Sequence, residues 1–246
     1  MSSSGSSVDP EYGRRYRQLY EQHWWWRARE AAIVDVLHSV SPPGGWPRIL
    51  DIGCGDGLFF SKLAEFGSVV EGVEPSSDLV TDDRGGAISI RPFDSTFQPA
   101  APYDLIVMLD VLEHLDRPAE ALSHVLSLLS PSGTVVITVP AFRSLWTSWD
   151  VMNQHVTRYT KSSFMSLARE VGFRVDRCEY FFHWTFPIRF AQRVLESIVP
   201  RQSAPLPNIP PRPVNALLYN LSRAERSLHL PFGTSLLVVG GRQRTT

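Results

Sequence analysis

Ile49-Leu50-Asp51-Ile52-Gly53-Cys54-Gly55-Asp56-Gly57 decides the fold. An apolar run ends in an acid, and glycines follow at alternate positions. Downstream, Val69-Val70-Glu71-Gly72-Val73-Glu74 reads as a second strand ending in a second acid. Glycines at a strand-to-helix turn can take positive φ and let backbone approach a ligand closely. An acid at the tip of the next strand can accept hydrogen bonds from ribose hydroxyls. The two segments together read as a nucleoside site. The spacing is G-x-G-x-G, not the G-x-G-x-x-G of dinucleotide-binding loops. Asp51 and Asp56 beside the loop would repel a pyrophosphate but not a cationic sulfonium.

Outward from this stretch, apolar runs and helical patterns alternate. Residues 10–40 carry helical spacing throughout, with Ile33, Val34 and Leu37 on one face. Pro42-Pro43-Gly44-Gly45 ends it. Strands are predicted at 49–52, 69–73, 87–90, 105–109, 134–139, 175–179 and 235–239. A helix is expected to open near Gly57, a second over 119–129 closed by Ser130-Pro131-Ser132-Gly133, and a third over 160–171 with Thr160 as its cap and Gly172 beyond its end. Such alternation predicts a doubly wound, mostly parallel α/β sheet. In such sheets ligands sit beyond the carboxyl ends of the strands where strand order reverses. Asp51, Glu74, Asp94, Asp110 and Pro140 all fall at or just after predicted strand ends.

The motifs, in order, resemble a class I S-adenosylmethionine-dependent methyltransferase. The resemblance is carried by I-L-D-I-G-C-G-D-G at 49–57, V-E-G-V-E-P-S at 70–76, and F-D at 93–94. Y-D-L-I-V-M-L-D-V-L-E-H-L at 103–115 and S-P-S-G-T-V-V-I-T-V-P at 130–140 continue it. It implies a seven-stranded Rossmann-like sheet whose last strand is antiparallel, with S-adenosylmethionine as cofactor and S-adenosylhomocysteine (SAH) as product. By the same resemblance, Asp51, Gly53, Cys54, Gly55 and Gly57 would hold the amino-acid part of the cofactor. Glu74 and Pro75 would meet the ribose and Phe93 and Asp94 the adenine, while Leu109 and Asp110, in the loop after the fourth strand, would line the cofactor. Some quinone-precursor methyltransferases hold magnesium with an acid-x-x-Glu-His set. Asp110, Glu113 and His114 match that spacing and His155 offers a fourth ligand, but magnesium prefers oxygen, so no metal is the expected state.

His23-Trp24-Trp25-Trp26-Arg27-Ala28-Arg29 is expected to close over the cofactor, with Trp25 in the site and Arg27 or Arg29 paired to a carboxylate. An arginine-studded helix packed on the sheet is the other reading. After the fifth strand, Asn153 to Thr160 lies where substrates approach. An imidazole titrates near ~6.5 in short peptides, so His155 could take a proton from a hydroxyl or amine. Arg158 could bind an anionic group and Tyr159 could shape the pocket. Equally, His155 and Arg158 could brace the loop.

The chain divides on this reading into a tail at 1–10, an N-terminal helical segment at 11–45, and a catalytic domain at 46–246 with an insertion over about 180–230. Six prolines fall in 200–213, and Val214, Leu217, Leu218, Leu221 and Leu228 mark one face of a helix. The insertion reads as a cap over the substrate, or as a surface for a homodimer, a partner or a membrane. With 24 basic and 25 acidic residues there is no footprint for bulk nucleic-acid binding. No uncharged run reaches the ~20 residues of a membrane span. Two cysteines fit a reducing cytoplasm. The expected activity is methyl transfer to a hydroxyl, amine or carbon of a small, hydrophobic or aromatic acceptor. A cofactor-binding protein that does not methylate and a dehydrogenase on a related fold stand as alternatives.

Overall fold

The computed structural model describes residues 10–80, 84–199 and 207–243. Of the expected tail at 1–10, residues 1–9 lie outside the described residues, as does part of the proline-rich segment, 200–206, while Pro10 already opens a helix. Two helices open the chain, α1 (Pro10–Gln22) and α2 (Trp24–Val40). The sequence predicted one. His23 breaks them because its backbone is extended (φ −80°, ψ 134°) and its ring accepts the Trp25 amide as an N-cap. Strand β1 (Trp46–Ile52) leads into the glycine loop and a single helical turn, α3 (Phe60–Leu63). That helix is shorter than expected because Gly57 is left-handed (φ 62°) and three glycines disfavour helix before it.

Strands β2 (Gly67–Glu74), β3 (Ile88–Ile90) and β4 (Tyr103–Leu109) follow, then α4 (Pro118–Leu128) and β5 (Leu129–Pro140). The Ser130–Gly133 segment was expected to be a turn but lies within β5, with a register shift between Tyr103 and Leu105 opposite it. Next come α5 (Ser148–Met152), α6 (Lys161–Val171) and β6 (Phe173–Phe181). As predicted, the Thr160 side chain caps α6 and Gly172 closes it in the left-handed conformation. The insertion contributes α7 (Thr185–Ile198) and α8 (Arg212–Ala224), and β7 (Ser235–Arg242) ends the sheet.

Strand order is β3-β2-β1-β4-β5-β7-β6. The first five strands pair in parallel, and β7 is antiparallel to both β5 and β6. Alternate residues of the central strands face two apolar layers, as the strand period requires. Leu50, Ile106 and Met108 pack with Leu122, Val125 and Phe164 on one side. Ile49, Leu105 and Val107 pack with Ile33, Val36 and Leu37 on the other. Strand order reverses between β1 and β4, which places a crevice at their carboxyl ends. No helix among the described residues is long and apolar enough to cross a membrane.

Candidate active site

The glycine loop fills that crevice. Gly53, Gly55 and Gly57 all have positive φ. A Cβ at Gly53 would lie 2.5 Å from a Val111 methyl, so packing alone demands glycine there. At Gly55 (φ 54°) a Cβ would meet nothing within 4 Å. Its open face is where a ligand can come against the backbone. The loop is tied to the next strand by Glu74, which is 5% exposed. Its carboxylate accepts the Gly55 amide at 3.0 Å and the Ser76 amide at 2.9 Å. Burial raises the Glu74 pKa. Glu74 therefore positions the loop. Pro75 is exposed beside it. The Cys54 thiol is pushed up by burial and by Asp51 and Glu74, so it is held protonated.

Asp51 is 3% exposed. Burial, outweighing the Arg29 charge, raises its pKa to about 8. Asp56, by contrast, pairs with Arg17 of α1. Sequence reasoning gave both acids a part in rejecting a pyrophosphate. The structure pairs Asp56 with Arg17, and burial raises the carboxyls of Asp51 and Glu74, so repulsion of a pyrophosphate does not rest on these acids as free anions.

Phe93 and Asp94 line a cleft of about 240 Å³ with Leu115 and His124. Asp94 is exposed, and its Oδ1 accepts the Thr96 amide at 2.8 Å and the Thr96 hydroxyl at 2.6 Å, so the carboxylate is fixed at the cleft mouth.

Leu109 ends β4, and Asp110 follows in the left-handed conformation (φ 59°). Its carboxylate takes Arg29 of α2 at 2.7 Å and the Thr138 hydroxyl at 3.0 Å, while Arg29 also donates to Thr138 at 3.1 Å. Arg29 is 7% exposed. Sequence reasoning offered Arg29 to a cofactor carboxylate, but Asp110 occupies its guanidinium. Both contacts are made by Nη2, and the buried Nε has no partner among the described residues. Trp25 stacks on Phe182 at 5.6 Å between centroids and lies near Arg29, so it links α2 to the insertion. Thr138 was missed because a threonine inside a continuous apolar strand gives no signal.

Across the crevice, Asp150 is fully buried and organises the segment after β5. It accepts from His155 Nδ1 at 2.8 Å, from Arg158 at 2.7 and 3.0 Å, and from the Thr147 amide at 2.9 Å. Arg158 also donates to the Ala141 carbonyl at 2.9 Å. Its expected role in binding an anion gives way to bracing. Tyr159 is 5% exposed and packs edge-on against Phe164, so it belongs to the core and does not shape the pocket. His155 keeps one ring nitrogen beyond its Asp150 bond and stands edge-on to His114 at 4.8 Å.

Glu113, His114 and His155 bring one ligand atom each within 4.8 Å of one another. Glu113 is 0% exposed, and neither carboxylate oxygen has a hydrogen-bond partner among the described residues. Asp110, expected in this set, is held away by Arg29. One carboxylate and two imidazoles suit zinc, manganese or iron better than magnesium.

Residues 25–177 match the family described as a methyltransferase domain. Over 151 residues the chain is 25% identical to the ubiquinone biosynthesis O-methyltransferase of Coxiella burnetii (strain Dugway 5J108-111), covering 54% of this chain and 63% of that protein. It therefore spans a little under two thirds of the length of that curated relative. The [4+2]-cyclase SpnF shares the fold at a TM-score of 0.60, with 16% identity over 97% of each chain. Magnesium protoporphyrin IX methyltransferase from Synechocystis PCC 6803, solved with bound SAH, does so at a TM-score of 0.56, with 15% identity over 94% of each chain. The family match runs from the second helix into the sixth strand and includes the whole crevice: this chain belongs to the methyltransferase-domain family.

Proposed function

We propose that the protein transfers a methyl group from S-adenosylmethionine to a hydroxyl of a small, apolar, aromatic acceptor, and that it works in the cytoplasm. The observation that carries this is the glycine loop: an open backbone face at Gly55, tied to Glu74, beside a buried Asp51. A sulfonium and an ammonium both suit that acidic, desolvated corner. The names of the relatives favour oxygen over nitrogen or carbon as the acceptor atom.

Methyl transfer is an in-line displacement. When bound, S-adenosylmethionine would supply an electrophilic methyl carbon, whose C–S bond would break as the C–O bond forms to leave a neutral thioether, and the acceptor would lose its hydroxyl proton. The protein's part is alignment, exclusion of water and removal of that proton. His155 is the base in this reading. Asp150 fixes one ring nitrogen and so leaves the other to accept the proton.

His155→Gln is expected to lower kcat for alkyl-substituted catechols by about 10²- to 10⁴-fold with unchanged SAH affinity. Radiolabelled methyl incorporation and calorimetry check it. A kcat within twofold of wild type removes His155 from the chemistry.

The Glu113 carboxylate, which has no hydrogen-bond partner among the described residues, favours one addition, in which the second nitrogen of His155 would bind a cation instead of serving as the base. Glu113, His114 and His155 would hold a divalent cation. When bound, such a cation acidifies a coordinated hydroxyl. Asp150 would then orient a ligating imidazole. Zinc or manganese is expected to bind the purified protein near one equivalent by calorimetry, and Glu113→Gln to abolish that binding. Equal, weak uptake by both proteins rules the addition out.

A further inference from the structure

The two insertion helices are inside out. On α7, Arg189, Gln192 and Glu196 form a hydrogen-bonded row that faces the protein. Arg189 donates to Gln192 at 3.0 Å, Gln192 to Glu196 at 2.9 Å, and Glu196 accepts the Ser148 amide at 2.9 Å. The other face carries Ile188, Leu195 and Ile198, which are 56, 57 and 71% exposed. On α8, Asn215 and Ser222 are buried at 8 and 3%. Asn215 bridges the α1–α2 break, accepting from the Trp24 amide and donating to the Gln22 carbonyl, each at 2.8 Å. Ser222 accepts from the Trp184 indole at 3.1 Å. The face turned outward carries Val214, Leu217 and Leu221, at 45, 66 and 43%. The sequence pattern placed these leucines on one face of a helix and left open whether that face covers the substrate or meets a partner or a membrane. Amphipathic helices of a globular protein ordinarily place the apolar stripe against the core, and exposed apolar surface of this kind marks a contact with something else.

Charge selects the occupant. From Thr185 to Ala224 the sequence has five arginines, at 189, 193, 201, 212 and 223, and one acid, Glu196; Arg189 and Glu196 are turned inward in the same hydrogen-bonded row and Arg223 pairs with Asp35, which leaves Arg193 and Arg212 as the basic residues beside the apolar faces among the described residues. Two copies meeting through this surface would bring like charges together. An anionic lipid surface would accept both the aliphatic side chains and the arginines, which is the chemistry of helices that lie in a membrane interface. We propose that α7 and α8 dock the protein on anionic membrane surfaces. The proposal does not depend on the methyl-transfer reading, because lipid binding is measured without turnover.

The test is co-sedimentation of the full chain with vesicles of phosphatidylcholine mixed with phosphatidylglycerol, and with vesicles of phosphatidylcholine alone. Wild type is expected to sediment with the mixed vesicles, and less so at high salt or without the anionic lipid. Leu195→Glu combined with Leu217→Glu is expected to weaken partitioning by at least about tenfold, since two leucines lose their burial, with an unchanged melting temperature. Failure of wild type to sediment with either vesicle overturns the proposal. So does equal partitioning of the double variant, or a wild-type dimer in light scattering that the two glutamates make monomeric.

Discussion

Asp150→Ala is expected to destabilise the fold by about 3–5 kcal/mol, the range for breaking a buried ion pair from one side. Asp150 has no exposed surface, and Arg158, itself largely buried, has its guanidinium fork on this carboxylate. Burial alone would raise the Asp150 pKa. Hydrogen bonds from His155 and Arg158, with the Arg158 charge, outweigh it and hold the carboxyl at about 2. Because the folded pKa lies below the unfolded one, this stabilisation is complete above the unfolded carboxylate range near ~3.9 and is lost as pH falls towards about 2. Urea unfolding at neutral pH measures the loss. Asp150→Ala with Arg158→Met should regain part of it, because the stranded cation goes with the acid. A loss below about 1 kcal/mol in the single variant would show that the network does not carry the loop. Methyl transfer should fall in both variants, since His155 loses its orienting partner.

SAH affinity is expected to rise with pH through Asp51. Burial raises this carboxyl to about 8 against the pull of Arg29, so the empty site holds a proton at neutral pH. The ammonium of a bound cofactor favours the carboxylate and expels the proton. A group whose pKa falls on binding makes affinity increase with pH up to its free value. Between pH 6 and 8 the gain approaches about 50-fold if the bound pKa lies well below 6. Calorimetry in buffers of different ionisation enthalpy counts the released proton. Asp51→Asn should flatten the profile. A flat profile in wild type would mean that Asp51 is already ionised or does not meet the ligand.

Much of this site was legible in the residues. Alternating glycines after an apolar strand placed the loop, because few backbones need three left-handed positions so close together. The apolar run at 105–109 marked a strand buried on both faces, and Thr160 with Gly172 bounded α6 to within a residue. The break at His23 was hidden, since the aromatic spacing runs on across it and the capping ring nitrogen has no periodic signature. Asp150 was overlooked for a different reason. Its signal was local: Thr147-Ser148-Trp149-Asp150 has the spacing of a capping box, and the structure forms one. The pairing of Arg29 with Asp110 joins residues far apart in the chain, so only topology could reveal it. For the insertion, helical periodicity gave the apolar stripe correctly but not its direction. That is set by Asn215, Ser222 and Glu196 finding partners inside.

The most direct test is SAH titration by calorimetry on wild type and Gly55→Asn. Asparagine tolerates the left-handed backbone, and the space beyond Gly55 is open, so this variant should fold. Its side chain would stand where the cofactor meets the loop. Micromolar binding by wild type, lost in a variant with an unchanged melting temperature, is the predicted result. Absence of SAH binding by wild type, or equal binding by both proteins, would contradict the assignment of the glycine loop as the cofactor site.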